Sequence, residues 1–163
     1  MSDEVHAAAT AVLAAARARG LTIATAESCT GGLVAGALTE IAGSSDVFDR
    51  GFVTYSNTAK QQLLGVPADI LREHGAVSRE TAEAMARGAL SKAKVDIVVA
   101  ITGIAGPGGG GPGKPVGLVH FAASTRAGKL THHEARYGDI GRTEVRQKSV
   151  LQALAMLKEL TEQ

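Results

Sequence analysis

Residues 95–102 read Val-Asp-Ile-Val-Val-Ala-Ile-Thr, a nearly unbroken apolar run. The run is the right length for a strand and short for a helix. A strand that is apolar at successive positions has no side to turn toward water. Both of its faces must be covered, which places it in the middle of a sheet with helices above and below. The rest of the chain is read around that requirement.

Residues 3–19 carry helical spacing at Val5, Ala8, Val12, Ala15 and Ala16 and stop at Gly20, a residue suited to a helix C-terminus. Residues 21–26 form a first strand and 31–41 a first crossover helix, with a loop at 43–46. Residues 49–55, with Phe52 and Val53, read as a second strand. Asn57 is the expected N-cap of a helix that runs to Leu64, where Gly65 and Pro67 end it. A short helix over 68–73 follows, then one capped by Ser78 and reaching about Lys92. After the central strand, 116–124 and 130–137 read as a hairpin turning at Ala127-Gly128, and 142–160 as a last helix. Alternating strands and helices followed by a hairpin predict a single-domain α/β fold, a three-layer α/β/α sandwich on a mixed β-sheet.

Composition narrows the function. The chain has 163 residues, 45% apolar but only 3% aromatic and without Trp, so the core is built from Ala, Val, Leu and Ile. Lys and Arg number 17 against 16 Asp and Glu, with no basic stripe interleaved with aromatics, so no nucleic-acid face is expected. No apolar run approaches the ~20 residues of a membrane span, and the N-terminus lacks a signal-peptide layout, so a cytoplasmic protein is expected. Cys29 is the only cysteine, which excludes an internal disulfide and an all-cysteine metal site. His132 and His133 are consecutive on a strand and face opposite ways, while His6, His74 and His120 are scattered. No metal site and no cofactor are expected. An Ala-rich domain with amphipathic terminal helices can self-associate, and a homo-oligomer, a dimer, is expected.

The chemistry is concentrated in three segments. Glu27-Ser28-Cys29-Thr30-Gly31-Gly32 follows the first strand directly. A hydroxyl at a strand's mouth, with two glycines turning the chain into a helix, either presents a nucleophile to the unpaired helix N–H groups or simply caps that helix. Thr54-Tyr55-Ser56-Asn57-Thr58-Ala59-Lys60 ends the second strand and opens a helix. Lys60 is either a solvated helix lysine or a base whose pKa is lowered by the helix N-terminus and by burial. Tyr55 either relays a proton and holds Lys60 or is a rim aromatic. Glu27 either orients a ligand hydroxyl or is a surface carboxylate. Cys29 reads as a small buried filler rather than a thiol nucleophile.

The third segment begins Thr102-Gly103-Ile104-Ala105-Gly106-Pro107. Its glycines imitate the dinucleotide fingerprint (Gly106, Gly108, Gly111) and the phosphate-binding loop (Gly108, Gly113, Lys114). Both motifs require a helix to start next, whereas here Pro112 and Pro115 intervene and a strand follows. The loop is either pliable surface or a flap whose first part, Thr102, Gly103, Ala105 and Gly106, lies at a ligand-binding strand edge.

Together with Phe48-Asp49-Arg50-Gly51-Phe52-Val53, Gly75-Ala76-Val77-Ser78 and Lys114-Pro115-Val116-Gly117, these segments resemble the C-terminal domain of the competence-damage-inducible protein CinA. They also resemble its stand-alone relatives, the nicotinamide-nucleotide amidohydrolases. The resemblance covers nearly all of the chain, residues 1–163, as one amidohydrolase domain in the single-domain form. It implies hydrolysis of the carboxamide of nicotinamide mononucleotide, with Ser28 as nucleophile and Lys60 as base; the alternatives are a nucleotide-binding or regulatory module without turnover and a hydrolase of a different amide. For the amidohydrolase the substrate is a small nucleotide. Thr30, Gly31 and Gly32 would line its site, with backbone N–H groups around Thr30 and Gly31 for the oxyanion, and Arg142 and Arg146, one helical turn apart, either hold its phosphate bidentately or are solvated helix arginines. The chain departs from the family pattern in a loop lengthened by Gly110-Gly111-Pro112-Gly113 and in the charge spacing of Gly138-Asp139-Ile140-Gly141-Arg142.

Overall fold

The computed structural model describes residues 1–163. Its elements are α1 (Asp3–Ala18), β1 (Ile23–Glu27), α2 (Leu33–Thr39), β2 (Phe48–Val53), α3 (Asn57–Leu64), α4 (Ala68–His74), α5 (Arg79–Ala93), β3 (Ile97–Gly103), β4 (Leu118–Thr125), β5 (Leu130–Arg136) and α6 (Arg142–Thr161). The strands form one sheet in the order β2-β1-β3-β4-β5. β1 runs parallel to β2 and β3, whereas β4 and β5 are antiparallel. β3 is the central strand and is buried on both faces up to Thr102, as its continuous apolar sequence requires.

Helices cover both faces. Val99, Ile101 and Phe121 pack beneath α1, α2 and α6. Val98, Ala100 and Ala122 pack beneath Ala82, Met85, Ala86 and Ala89 of α5. Small side chains let the layers approach closely. At Gly88 a Cβ would sit 1.8 Å from the Leu64 carbonyl oxygen, so α3 and α5 touch where no side chain fits. No helix is long and apolar enough to cross a membrane.

The helix termini follow capping chemistry, with two departures from what the residues predict. Ser78 Oγ accepts the Thr81 N–H at 3.1 Å and opens α5 as expected. The cap of α3 is Ser56, not Asn57: Ser56 is extended and its Oγ accepts the Ala59 N–H at 3.0 Å, while Asn57 is already helical. α2 starts at Leu33, two residues later than expected, because Gly31 and Gly32 have φ of 56° and 101°. That left-handed pair makes a sharp turn, not a helical one.

Candidate active site

The cleft lies where the C-terminal ends of β1, β2 and β3 meet, the edge at which open α/β sheets gather ligands. Ser28 follows β1 immediately, and its backbone N–H donates to Ile101 O of β3 at 2.9 Å. The chain then reverses: Gly31 N–H donates to Ser28 O at 3.0 Å and Leu33 N–H to Thr30 O at 2.9 Å. The Ser28 side chain therefore stands clear of the sheet, at the foot of α2.

Lys60 reaches it from the other side. β2 is tied to the end of β1 by the Thr54 N–H donating to Glu27 O at 2.9 Å, and α3 begins three residues later. Lys60 Nζ lies 3.0 Å from Ser28 Oγ and 2.9 Å from the Thr54 carbonyl oxygen, to which it donates. The residue is only 1% exposed. Burial lowers its pKa, and no carboxylate contacts it to restore the charge. A neutral amine has one lone pair and two N–H bonds. One N–H on the Thr54 carbonyl leaves the lone pair to face the Ser28 hydroxyl.

The cleft encloses about 250 Å³. Ser28, Cys29 and Lys60 form its floor, Ala76 and Val77 one wall, Thr102, Gly103, Ile104, Ala105, Gly106, Gly108 and Gly109 another, and Tyr55, Asn57 and Arg142 the rim. No carboxylate lines it, and Arg142 is its one permanently charged group. Asn57 and the Ala76-Val77 wall were not read from the sequence as parts of the site. The first turn of a helix and a loop between two helices carried no sequence signal of a cleft.

Several candidates play parts other than those expected. Glu27 neither orients a ligand nor sits at the surface. It is fully buried, with Oε1 accepting the Val34 N–H at 2.9 Å and Oε2 accepting the Ala35 N–H at 3.0 Å and the Thr25 hydroxyl at 3.3 Å. A carboxylate on the orphan donors of α2 is stabilised by them and by the helix dipole. Tyr55 is 59% exposed, and its hydroxyl accepts from Arg142 Nη2 at 2.7 Å rather than contacting Lys60. The Thr54 backbone, not Tyr55, holds the lysine.

Arg142 and Arg146 do not converge as a bidentate pair. Arg142, the first residue of α6, reaches across the rim, with Nη1 donating to Gly106 O at 2.8 Å. Arg146 points behind the Ser28–Gly32 turn and donates from Nε to Cys29 O at 3.2 Å. Thr30 is buried outside the cleft lining, with a hydroxyl that has no partner. The Gly31 N–H is engaged by Ser28 O, so it is not an oxyanion donor. The Cys29 N–H has no protein partner, and Cys29 lines the cleft. The Cys29 thiol itself is pushed up to about 12 by burial, which keeps it protonated.

The glycines of the third segment answer mainly to packing. A Cβ at Gly103 would lie 2.7 Å from Val119, and one at Gly106, where φ is 84°, would lie 2.5 Å from Val116. Thr102 donates its hydroxyl to Ala76 O at 2.7 Å and fixes one wall to the other. Among the histidines, His133 lies against the Phe121 ring and His132 against the opposite face, as the strand period requires. His120 is not isolated: its Nδ1 lies 2.9 Å from His132 Nε2 across the hairpin. No three His, Cys, Asp or Glu side chains are grouped so as to hold a metal ion.

A serine just after a strand end, beside a buried lysine in a cleft of a mixed-sheet α/β/α sandwich, is an arrangement compatible with a hydrolase. Sequence comparison narrows this further. The family model for the CinA C-terminal domain matches residues 5–161, and the chain belongs to that family. It is 53% identical over 144 residues to the nicotinamide-nucleotide amidohydrolase PncC of Escherichia coli, covering 88% of this chain and 86% of that protein. It is 58% identical over 106 residues to a longer relative from Caldicellulosiruptor bescii, of which it spans 26%, about a quarter of the length. The crystal structure of the competence/damage inducible protein CihA from Agrobacterium tumefaciens superposes with a TM-score of 0.97 at 55% identity, covering 100% of this chain and 98% of that one.

Proposed function

We propose that this chain, over residues 1–163, is a nicotinamide-nucleotide amidohydrolase that converts nicotinamide mononucleotide and water to nicotinate mononucleotide and ammonia. The observation that carries the reading is the buried Lys60 amine 3.0 Å from Ser28 Oγ with no carboxylate partner. A site that only held a phosphate would gain from a charged lysine, whereas a base must be neutral. The substrate class comes from the similarity to the E. coli amidohydrolase, and a cleft with one guanidinium and no carboxylate suits an anionic nucleotide.

The Lys60 lone pair takes the Ser28 proton as Oγ bonds to the carboxamide carbon, and the carbonyl π pair moves to oxygen. The Cys29 N–H donates to that oxyanion. As the C–N bond breaks, the Lys60 ammonium returns a proton to the leaving nitrogen, which departs as ammonia. The amine, neutral again, then activates water to hydrolyse the acyl–Ser28 ester. The Thr54 carbonyl holds Nζ in place throughout. Arg142 takes the substrate phosphate at the rim, giving up Tyr55 and Gly106 to do so. Neither metal nor cofactor enters these steps.

Two further parts of the reading concern setting. The exposed side chains of Leu33, Val53, Tyr55, Leu63 and Ile140 support self-association as a homodimer. A single buried, reduced thiol and a nucleotide substrate fit a cytoplasmic enzyme. The test is direct: purified protein is incubated with nicotinamide mononucleotide, and ammonia and nicotinate mononucleotide are quantified. Equal amounts of both products support the proposal. Binding of the nucleotide without either product would make the domain a binding module.

A further inference from the structure

Arg146 is half-buried on α6, one turn beyond Arg142, and enters no ion pair. A guanidinium so placed ordinarily meets a carboxylate in fork geometry. Here its Nε donates to one peptide oxygen, Cys29 O, at 3.2 Å. Its Nη2 lies 3.4 Å from where a Cβ on Gly31 would stand, so the group runs along the back of the nucleophile turn. Arg146 does not line the cleft.

The tethers of that turn give this contact its weight. The Ser28 N–H is held by Ile101 O, Ser28 O by the Gly31 N–H, and Thr30 O by the Leu33 N–H. The peptide between Cys29 and Thr30 has only Arg146: the Thr30 N–H makes no hydrogen bond in the protein. The next two residues are left-handed glycines, which offer little resistance to rotation. The guanidinium therefore supplies the one tether of the Cys29–Thr30 peptide, which lies between Ser28 and a Gly31–Gly32 peptide that has no hydrogen bond of its own.

We propose that Arg146 is a positioning residue for the Ser28 nucleophile, acting through the Cys29 carbonyl from behind the site. The inference rests on Ser28 as nucleophile. Misplacement of a reacting group by about 1 Å costs on the order of 10²-fold in rate. Arg146→Gln is therefore expected to lower kcat about 10²-fold and leave KM nearly unchanged, because the substrate never touches the side chain. Arg146→Lys should recover part of the loss, since one N–H suffices for one carbonyl. The inflection of kcat with pH should stay where the parent protein has it, because the amine of Lys60 is untouched.

The experiment pairs this kinetics with labelling by an alkyl fluorophosphonate. Ser28 Oγ forms a bond to phosphorus, the P–F bond breaks, fluoride leaves, and the hydroxyl proton goes to Lys60. Mass spectrometry locates the adduct, and thermal melting checks that each variant is folded. Adduct on Ser28 in the parent protein, forming at least tenfold more slowly in folded Arg146→Gln and faster again in Arg146→Lys, supports the inference. Equal labelling rates, or a raised KM with kcat intact, overturn it and make Arg146 a substrate ligand. Labelling of the parent protein at another residue overturns the nucleophile assignment instead, and the kcat and KM pattern still decides whether Arg146 acts on the turn.

Discussion

Replacing Lys60 by Met tests the site at its least ordinary point, a lysine placed in the interior without a counter-charge. Met has about the same length and no titrating group. The unfolded chain carries Lys60 with its ordinary pKa of 10.5, whereas burial lowers that value in the fold. Between the lowered folded pKa and 10.5 the unfolded state binds the extra proton, so parent stability rises with pH across that window. Above 10.5 the penalty vanishes, and below the folded pKa it is constant.

One proton of difference is worth about 1.4 kcal/mol per pH unit. Lys60→Met loses that slope entirely. Its Thr54 carbonyl is left without a donor, a cost of about 1–3 kcal/mol that does not depend on pH. The decisive quantity is thus the slope of the stability difference and not its value at any one pH. Urea unfolding of both proteins at pH 7, 8, 9 and 10 should show the parent gaining on the variant by up to about 1.4 kcal/mol per unit. In the same protein kcat should fall about 10³-fold, within the range for loss of a general base. Lys60→Arg should fail nearly as badly, because a guanidinium does not give up its proton. A flat stability difference would mean that the buried amine stays charged. A near-normal Lys60→Arg enzyme would return the residue to substrate binding.

Three other outcomes are expected. Ser28→Ala abolishes turnover with nucleotide binding retained, measured by calorimetry, while Cys29→Ala keeps most activity because its thiol, at about 12, is not a nucleophile. Glu27→Gln destabilises the fold by about 1–3 kcal/mol in urea, since an amide offers one acceptor where the α2 N-terminus presents two N–H donors. Activity survives prolonged chelation with unchanged kcat, because the proposed steps use only side-chain and backbone groups; loss on chelation with recovery on adding a divalent metal would contradict this.

Local order was readable from the chain because it is set by neighbouring residues. The nearly unbroken apolar run at 95–102 determined a doubly covered central strand, and β3 is one. Ser78 marked the start of α5, and the Ala127-Gly128 turn marked the β4–β5 hairpin. The register that turn imposes could also have paired His120 with Glu134 and brought His132 diagonally beside His120, a neighbourhood the scattered positions concealed. Ser28, Gly31 and Gly32 were legible as a turn because left-handed backbone at a strand's end has few alternatives to glycine.

The sequence could not distinguish which polar groups face the cleft and which lie beneath it. Glu27 and Ser28 are adjacent, yet one points under α2 and the other into the cleft, because β1 ends between them and the N–H groups at the start of α2 take up the carboxylate of the first. Arg142 and Arg146 share a helix face, and only the position of the Ser28–Gly32 turn sends one to the rim and the other behind it. Lys60 differs from a solvated helix lysine because it is desolvated, and desolvation is imposed by residues far from it in sequence: Ser28 just after β1, 32 positions away, and the Thr54 carbonyl just after β2. Pattern and propensity reach a few residues along the chain. The burial that shifts a pKa is a property of the assembled core.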